Sequence, residues 1–85
     1  MASYKLQIKP SAAKELEGLP IDDRRRIVER IAALAAEPRP AGCEKLSGLD
    51  KYRVRQGSYR VLYAIDDAAY SVTVVKVGHR RDVYR

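Results

Sequence analysis

The pair Gly57-Ser58, set between two alternating runs, constrains this chain more than any other feature. Tyr52-Arg53-Val54-Arg55-Gln56 precedes it and Tyr59-Arg60-Val61-Leu62-Tyr63 follows. A Gly-X pair in that position is the signature of a two-residue type II′ hairpin, because glycine takes the positive φ of the first turn position without steric cost. A turn that tight fixes the register: Gln56 opposite Tyr59, Arg55 opposite Arg60, Val54 opposite Val61 and Tyr52 opposite Tyr63. Side chains alternate across a strand, so the tyrosines and valines share one face and Arg53, Arg55 and Arg60 share the other. Two like charges directly opposite each other destabilise a sheet. Such a local conflict is expected at a functional site, and clustered guanidinium groups suit a phosphate-rich ligand. The plainer alternative is a solvated face that deters edge pairing.

The remaining segments supply the layer that this hairpin needs. Tyr4, Leu6 and Ile8 alternate with Lys5, Gln7 and Lys9, which predicts a half-buried strand ending at Pro10. Ser11 is the expected N-cap of a short helix with Ala12, Leu16 and Leu19 on its apolar side, closed by Gly18 and Pro20. Asp22 and Asp23 suit the positive start of a second helix, whose stripe is Ile27, Val28, Ile31, Leu34 and Ala35. Its Arg24-Arg25-Arg26 run reads as a solvated face, or as a secondary contact to a nucleic-acid backbone. Residues 38–50 read as a loop pinned by Leu46 and Leu49. Tyr70 to Val77 forms a further strand. Val72 and Val74 are expected on one side and Val75 and Val77 on the other, so its second half reads as buried on both faces. The expected order is β-α-α-β-β-β in one domain spanning 1–85. The fold class is α+β: an N-terminal strand, an antiparallel helical hairpin, then a three-stranded antiparallel meander. Together they give a single antiparallel sheet with the helices on one face.

Charge sharpens the functional reading. Residues 51–85 carry eight Lys/Arg against three Asp/Glu, a net of +5, whereas residues 1–50 balance to +1. The excess therefore sits in the sheet and tail, which favours a nucleic-acid or acidic protein partner. The only cysteine, Cys43, lies in a Pro/Gly-rich loop without metal-ligand spacing, so no metal or cofactor is expected and a Cys–His pair with His79 is a remote option. No apolar run approaches the ~20 residues of a membrane span, and the N-terminus lacks a signal-peptide core. A cytoplasmic protein without membrane contact is expected.

No carboxylate pair, Gly-rich phosphate loop or Ser/His/Asp set appears. The available chemistry is cationic, with one imidazole and one phenol. Gly78-His79-Arg80-Arg81-Asp82-Val83-Tyr84-Arg85 is placed to bring His79, Arg80, Arg81 and Tyr84 to the strand ends. That inventory suits RNA cleavage by the RNA's own 2′-hydroxyl. Arginine forks align and stabilise the phosphorane, and His79 and Tyr84 are the obvious proton-transfer groups. Arginine stays protonated and makes a poor base. Each residue also has a structural reading: His79 as a loop histidine, Tyr84 as a packing residue, and Tyr52, Tyr59 and Tyr63 as sheet-packing aromatics.

The chain resembles the RelE/ParE toxin superfamily, on the RelE side. The resemblance covers essentially all of it. It is carried by Leu46-Ser47-Gly48-Leu49, by Tyr52-Arg53-Val54-Arg55 with Ser58-Tyr59-Arg60-Val61-Leu62-Tyr63, and by Val77-Gly78-His79-Arg80-Arg81-Asp82-Val83-Tyr84. It implies the toxin of a type II toxin–antitoxin system, a ribosome-dependent endoribonuclease that cuts messenger RNA in the decoding site. It further implies neutralisation by a cognate antitoxin, with DNA bound only through the toxin–antitoxin complex. By position, Arg60 matches a transition-state arginine and Arg80 a second phosphate-binding arginine. Tyr84 matches a C-terminal tyrosine of proton transfer and base stacking. Arg53 and Arg55 match two strand residues that are lysines in the best-known branch, which leaves the general base open. His79 stands where some relatives have a basic residue, and Arg81 adds to the phosphate-binding set. A terminal helix seen in some relatives is not expected after Tyr84. The alternative within the same resemblance is a non-catalytic binder, either a ParE-like inhibitor of DNA gyrase or an inactive relative that serves only its antitoxin.

Overall fold

The computed structural model describes residues 3–46 and 51–82. Its elements are β1 (Lys5–Ile8), α1 (Pro10–Glu17), α2 (Ile21–Ala33), β2 (Glu44–Lys45), β3 (Lys51–Gln56), β4 (Tyr59–Asp66) and β5 (Ser71–His79). The strands form one five-stranded sheet in the order β1-β5-β4-β3-β2. The meander β3-β4-β5 is antiparallel throughout, with the two helices packed on one face. Val54, Val61, Tyr63, Val72, Val74 and Val77 of the sheet meet Ala12, Leu16, Ile27, Ile31 and Leu34 of the helices in one core. Burying that contiguous apolar surface is the main favourable contribution to a domain of this size.

The hairpin follows the register expected from its turn. Gln56 pairs with Tyr59, Arg55 with Arg60, Val54 with Val61 and Tyr52 with Tyr63. Gly57 has φ +59°, and Ser58 is not among the residues of positive φ, which is the type II′ combination.

The sheet is mixed, not antiparallel as expected: β1 pairs parallel to β5, with Leu6 beside Val72 and Ile8 beside Val74. Parallel neighbours need a connection that carries the chain back to the end from which the first strand started. The helices supply it, because the end of α2 returns to the start of β1, where the Tyr4 amide donates to the Ala35 carbonyl at 2.7 Å.

Local expectations are corrected at four further points. The first helix starts two residues early, with Lys9 at the N-cap and Pro10 at the first position, where a missing N–H costs nothing. Ser11 is therefore inside the helix. In α2 and at its C-cap, Ile27, Ile31 and Leu34 are buried but Val28 is exposed, so the stripe is narrower than expected. The segment 38–50 contains the short strand β2, which adds to the edge of β3 through Glu44 opposite Arg53 and Lys45 opposite Tyr52. Leu49 lies outside the described residues. Finally, β5 is not buried on both faces. A register shift at Leu62/Tyr63 pairs Leu62 with Lys76 and Tyr63 with Val74, leaving Val75 as the extra residue. This bulge puts Val74 and Val77, three residues apart, into the same core.

Candidate functional site

The face of the sheet away from the helices is where the hairpin arginines lie. Val54 and Val61 are fully buried under the helices, so alternation turns Arg53, Arg55 and Arg60 to the other side. Arg55 and Arg60 are directly opposed, and Arg60 is in turn opposite Gly78 of β5, which presents no side chain between Arg60 and the sheet edge. Nη1 of Arg60 donates to the Tyr59 carbonyl at 3.2 Å, and among the described residues Arg60 forms no ion pair. Leu62, opposite Arg53 and Lys76, is a buried apolar floor to this cationic face.

A carboxylate that the sequence reading missed stands among these arginines. Nη2 of Arg53 donates to Oε2 of Glu44, and Nη2 of Arg55 lies 3.5 Å from Oε1 of the same side chain. Glu44 was invisible because its strand is two residues long, too short for any alternation to register.

The tail is brought to the turn end of the hairpin. The Arg80 amide donates to the Ser58 carbonyl at 2.8 Å, and the Asp82 amide to the His79 carbonyl at 2.8 Å. Arg80 and Arg81 are exposed beside the turn. His79 pairs with Tyr59, and its ring packs edge-on against the Tyr59 ring at 5.8 Å and 83°. By alternation this places the imidazole on the Tyr59 side of the strand, away from Arg60. His79 therefore meets the arginine face only around the end of the sheet. Its Nδ1 accepts from the Arg81 amide at 3.2 Å, which leaves Nε2 as the nitrogen that carries the proton in the neutral ring. Tyr84 lies outside the described residues.

At the opposite end of the strands sits a second polar cluster. The Tyr4 hydroxyl donates to Oδ1 of Asp67 at 2.7 Å, and Arg39 forks onto both Asp67 oxygens at 3.2 and 2.9 Å. Arg39 also lies over the Tyr52 ring, 5.2 Å from its centre. These bonds, first the one from Arg39 and then the one from Tyr4, hold the Asp67 carboxyl below the usual range, while the same contact with Asp67 pushes the Tyr4 phenol up. A cleft of about 530 Å³ beside them is lined by Arg39, Lys45, Tyr52, Ile65, Asp66 and Asp67. Of its charges, Arg39 and Asp67 neutralise each other at 2.9 Å. Among the described residues no group of three or more His, Cys, Asp or Glu gathers to hold a metal ion, and no helix is long and apolar enough to cross a membrane.

Comparison with known proteins decides the family. The model of the ParE toxin of type II toxin–antitoxin systems, parDE, matches residues 6–84. The chain belongs to this family. Within it, the chain is similar to Toxin RelG of Mycobacterium tuberculosis, with 34% identity over 96% of this chain and 97% of RelG. The toxin fold is shared with the RelE–RelB complex of the archaeon Pyrococcus horikoshii. There the TM-score is 0.84 at 31% identity, over 95% of this chain and 99% of the matched one. It is shared also with the intact Escherichia coli RelBE toxin–antitoxin complex, with a TM-score of 0.79 at 30% identity, over 91% of this chain and 96% of the matched one. The resemblance read from the arginine hairpin and the Gly78-His79-Arg80-Arg81 tail thus agrees with relatives named RelG and RelE. Those solved neighbours are toxins held with their antitoxins.

Proposed function

We propose that this toxin is a ribosome-dependent endoribonuclease that cuts messenger RNA in the decoding site. One observation supports the reading: three arginines converge on the sheet face away from the helices, with Arg55 and Arg60 directly opposed at the turn to which the Arg80 and Arg81 tail is tied. A fold that accepts this repulsion keeps a site for a polyanion. In the reaction the 2′-oxygen of one nucleotide attacks the adjacent phosphorus, the bond to the 5′-oxygen breaks, and a 2′,3′-cyclic phosphate and a 5′-hydroxyl result. Arg60 and Arg80 stabilise the charge that develops on the phosphorane, while Arg53, Arg55 and Arg81 hold the flanking phosphates. His79, as the imidazolium, gives its Nε2 proton to the leaving 5′-oxygen and is left as the neutral ring, provided the RNA bends round the end of the sheet. Tyr84, as the phenolate, takes the 2′ proton as the 2′-oxygen attacks. No metal or cofactor enters the scheme.

The same single domain, 1–85, is proposed to act in the cytoplasm under a cognate antitoxin. Its excess of positive charge suits an acidic or amphipathic segment that folds while wrapping it. DNA is reached only through that complex, and no membrane is involved. Primer extension on a ribosome-bound message tests the nuclease reading. Discrete cuts should appear in the decoding site, with little cutting of naked RNA, because positioning by the ribosome supplies much of the rate. The ParE description of the matching family favours one second reading, inhibition of DNA gyrase. Gyrase-dependent DNA breaks with intact messages would establish that reading instead.

A further inference from the structure

The arginine face is not empty of negative charge. Glu44 enters it from β2, at the position opposite Arg53, and its two oxygens are shared between two guanidinium groups: Oε2 with Arg53 and Oε1 with Arg55, the latter at 3.5 Å. One anion bridging two arginine forks is the arrangement in which arginine also takes a phosphate, since carboxylate and phosphate offer the same spaced pair of acceptor oxygens. The partners differ in how firmly they are held. The Arg53 side chain is 19% exposed, whereas those of Glu44 and Arg55 are 50% and 59% exposed. Arg53 is thus the most enclosed of the three, and Glu44 borders water. Its carboxylate contacts no other element in the ion pairs of the described residues.

We propose that Glu44 is an internal stand-in for phosphate: it occupies the acceptor position between Arg53 and Arg55 in the free protein and is displaced when a phosphate of the RNA binds there. The inference rests on the arginine face being a phosphate site, as in the proposed function. It assigns to Glu44 a role that neither proton transfer nor packing describes. In the free protein it offsets repulsion among the arginines, and in the complex it lowers affinity for RNA by competing for Arg53 and Arg55. Without its charge, the same phosphate binds without first displacing a carboxylate.

The experiment measures binding separately from cleavage. The probe is a fluorescent RNA oligonucleotide with 2′-O-methyl groups throughout, which lacks the nucleophile and cannot be cut. Its anisotropy is followed over a series of salt concentrations with the wild type, Glu44→Gln and Glu44→Asp, each checked by thermal melting. Glu44→Gln should bind about two- to fivefold more tightly at low salt, the scale of one exposed ion pair. Its plot of log affinity against log salt should keep the wild-type slope, because displacement leaves the same phosphates neutralised in both complexes; a slope steeper by about 0.7, the increment for one more phosphate on a single strand, would mean that Glu44 keeps its place in the wild-type complex and would overturn the inference. Glu44→Asp keeps the charge but is too short to span both arginines, so its gain should be smaller. Unchanged affinity in Glu44→Gln, while the wild type still cuts on the ribosome, would overturn the inference and leave the nuclease reading intact. Weaker binding would overturn it too, by making Glu44 a prop for Arg53. Unaltered binding with cleavage lost by orders of magnitude would do the same, by making it a proton-transfer group. Tighter binding in the variant, with no ribosomal cleavage by the wild type, would retain the inference and remove the nuclease reading.

Discussion

Arg60→Ala isolates the residue on which the proposed chemistry depends most. Arg60 lies on the face away from the helices, opposite Arg55 on one side and Gly78 on the other, and among the described residues the one hydrogen bond of its side chain goes to the carbonyl of its own neighbour, Tyr59, at 3.2 Å. Two terms set the effect on stability. Losing a hydrogen bond of this kind costs about 0.5–1.5 kcal/mol, and relieving a directly opposed like charge returns about 0.2–1 kcal/mol. They nearly cancel, so the variant should melt within about 1 kcal/mol of the wild type. The effect on rate has no such offset. A donor lost from a developing oxyanion costs on the order of 10²–10³ in rate, or about 2.7–4 kcal/mol. Single-turnover cleavage of a message on programmed ribosomes, read by primer extension, gives the rate, and circular dichroism melts give the stability. A variant that cuts at near wild-type rate would refute the placement of the site. A variant that is slow only because it unfolds would refute the argument that Arg60 is free of structural duty.

Three further outcomes are expected. His79→Ala should slow cleavage by about 10²–10⁴-fold, and a message with a 5′-bridging sulfur at the cut site should restore the rate, because a thiolate leaves without a proton; failure to restore it would remove His79 as the acid. Tyr63→Phe should lower stability by about 1–2 kcal/mol and Tm by roughly 4–16 °C, because the buried Tyr63 hydroxyl donates to the Pro38 carbonyl at 2.7 Å and would leave that acceptor unpaired; an unchanged melt would mean the bond is dispensable. Asp67→Asn should melt below the wild type at neutral pH, and the gap should close in acid. The folded-state value of Asp67 is depressed, so its contribution is complete above the unfolded value of 3.8 and is lost as the pH falls through the folded one. A gap that stays constant down the acid range would show that the charge of Asp67 is not what matters.

The parts of the fold that the sequence made legible are those decided within a few residues. Gly57-Ser58 dictates its own turn, the turn dictates the register, and the register puts Arg55 opposite Arg60. Ala12 with Leu16, and Ile27 with Ile31 and Leu34, report the buried sides of the helices through their spacing. What was not legible depends on distance. The direction of β1 is settled by where α2 ends, thirty residues later, not by any property of Tyr4 to Ile8. The phase slip from Val72 and Val74 to Val75 and Val77 was visible, but alternation alone does not separate a strand buried on both faces from a bulged one, and the pairing of Tyr63 with Val74 decides for the bulge. In the site, the arginines announced themselves and their counter-ion did not. Glu44 sits in a loop by composition and becomes part of the site only through its place opposite Arg53. Glu15 is similar: a helix residue by every local criterion, it accepts from the Val77 amide at 3.1 Å where β5 runs past the end of β1.

The two ends of the sheet divide the work. At the end where β4 turns into β5, attractive contacts accumulate. Asp67 binds Tyr4 and Arg39, Arg39 covers Tyr52, and the Tyr70 carbonyl takes the Lys5 amide at 2.7 Å although Tyr70 itself holds a φ of +50°. Those bonds tie the N-terminal strand, the segment after α2 and the β4–β5 turn together, across sequence separations of up to 65 residues. At the other end the hairpin turn keeps like charges together, with Arg55 facing Arg60 and the Arg80 and Arg81 tail tied to Ser58. An 85-residue domain has little stability to spare, roughly 4–13 kcal/mol at the usual rate per residue. Repulsion at the arginine end is tolerable only if it is kept from spreading along the strands. The fully buried Val54–Val61 pair, one step from Arg55 and Arg60, performs that separation by anchoring the same two strands in the core. Loosening the Asp67 end should therefore lower stability without changing the charge pattern at the turn. Neutralising Arg60 should slow phosphate chemistry without loosening the Asp67 end. Because the two sites share no partner, the stability changes of Asp67→Asn and Arg60→Ala should add to within about 0.5 kcal/mol in the double variant. A larger departure from additivity in thermal melts would show that the two ends are coupled through the sheet after all.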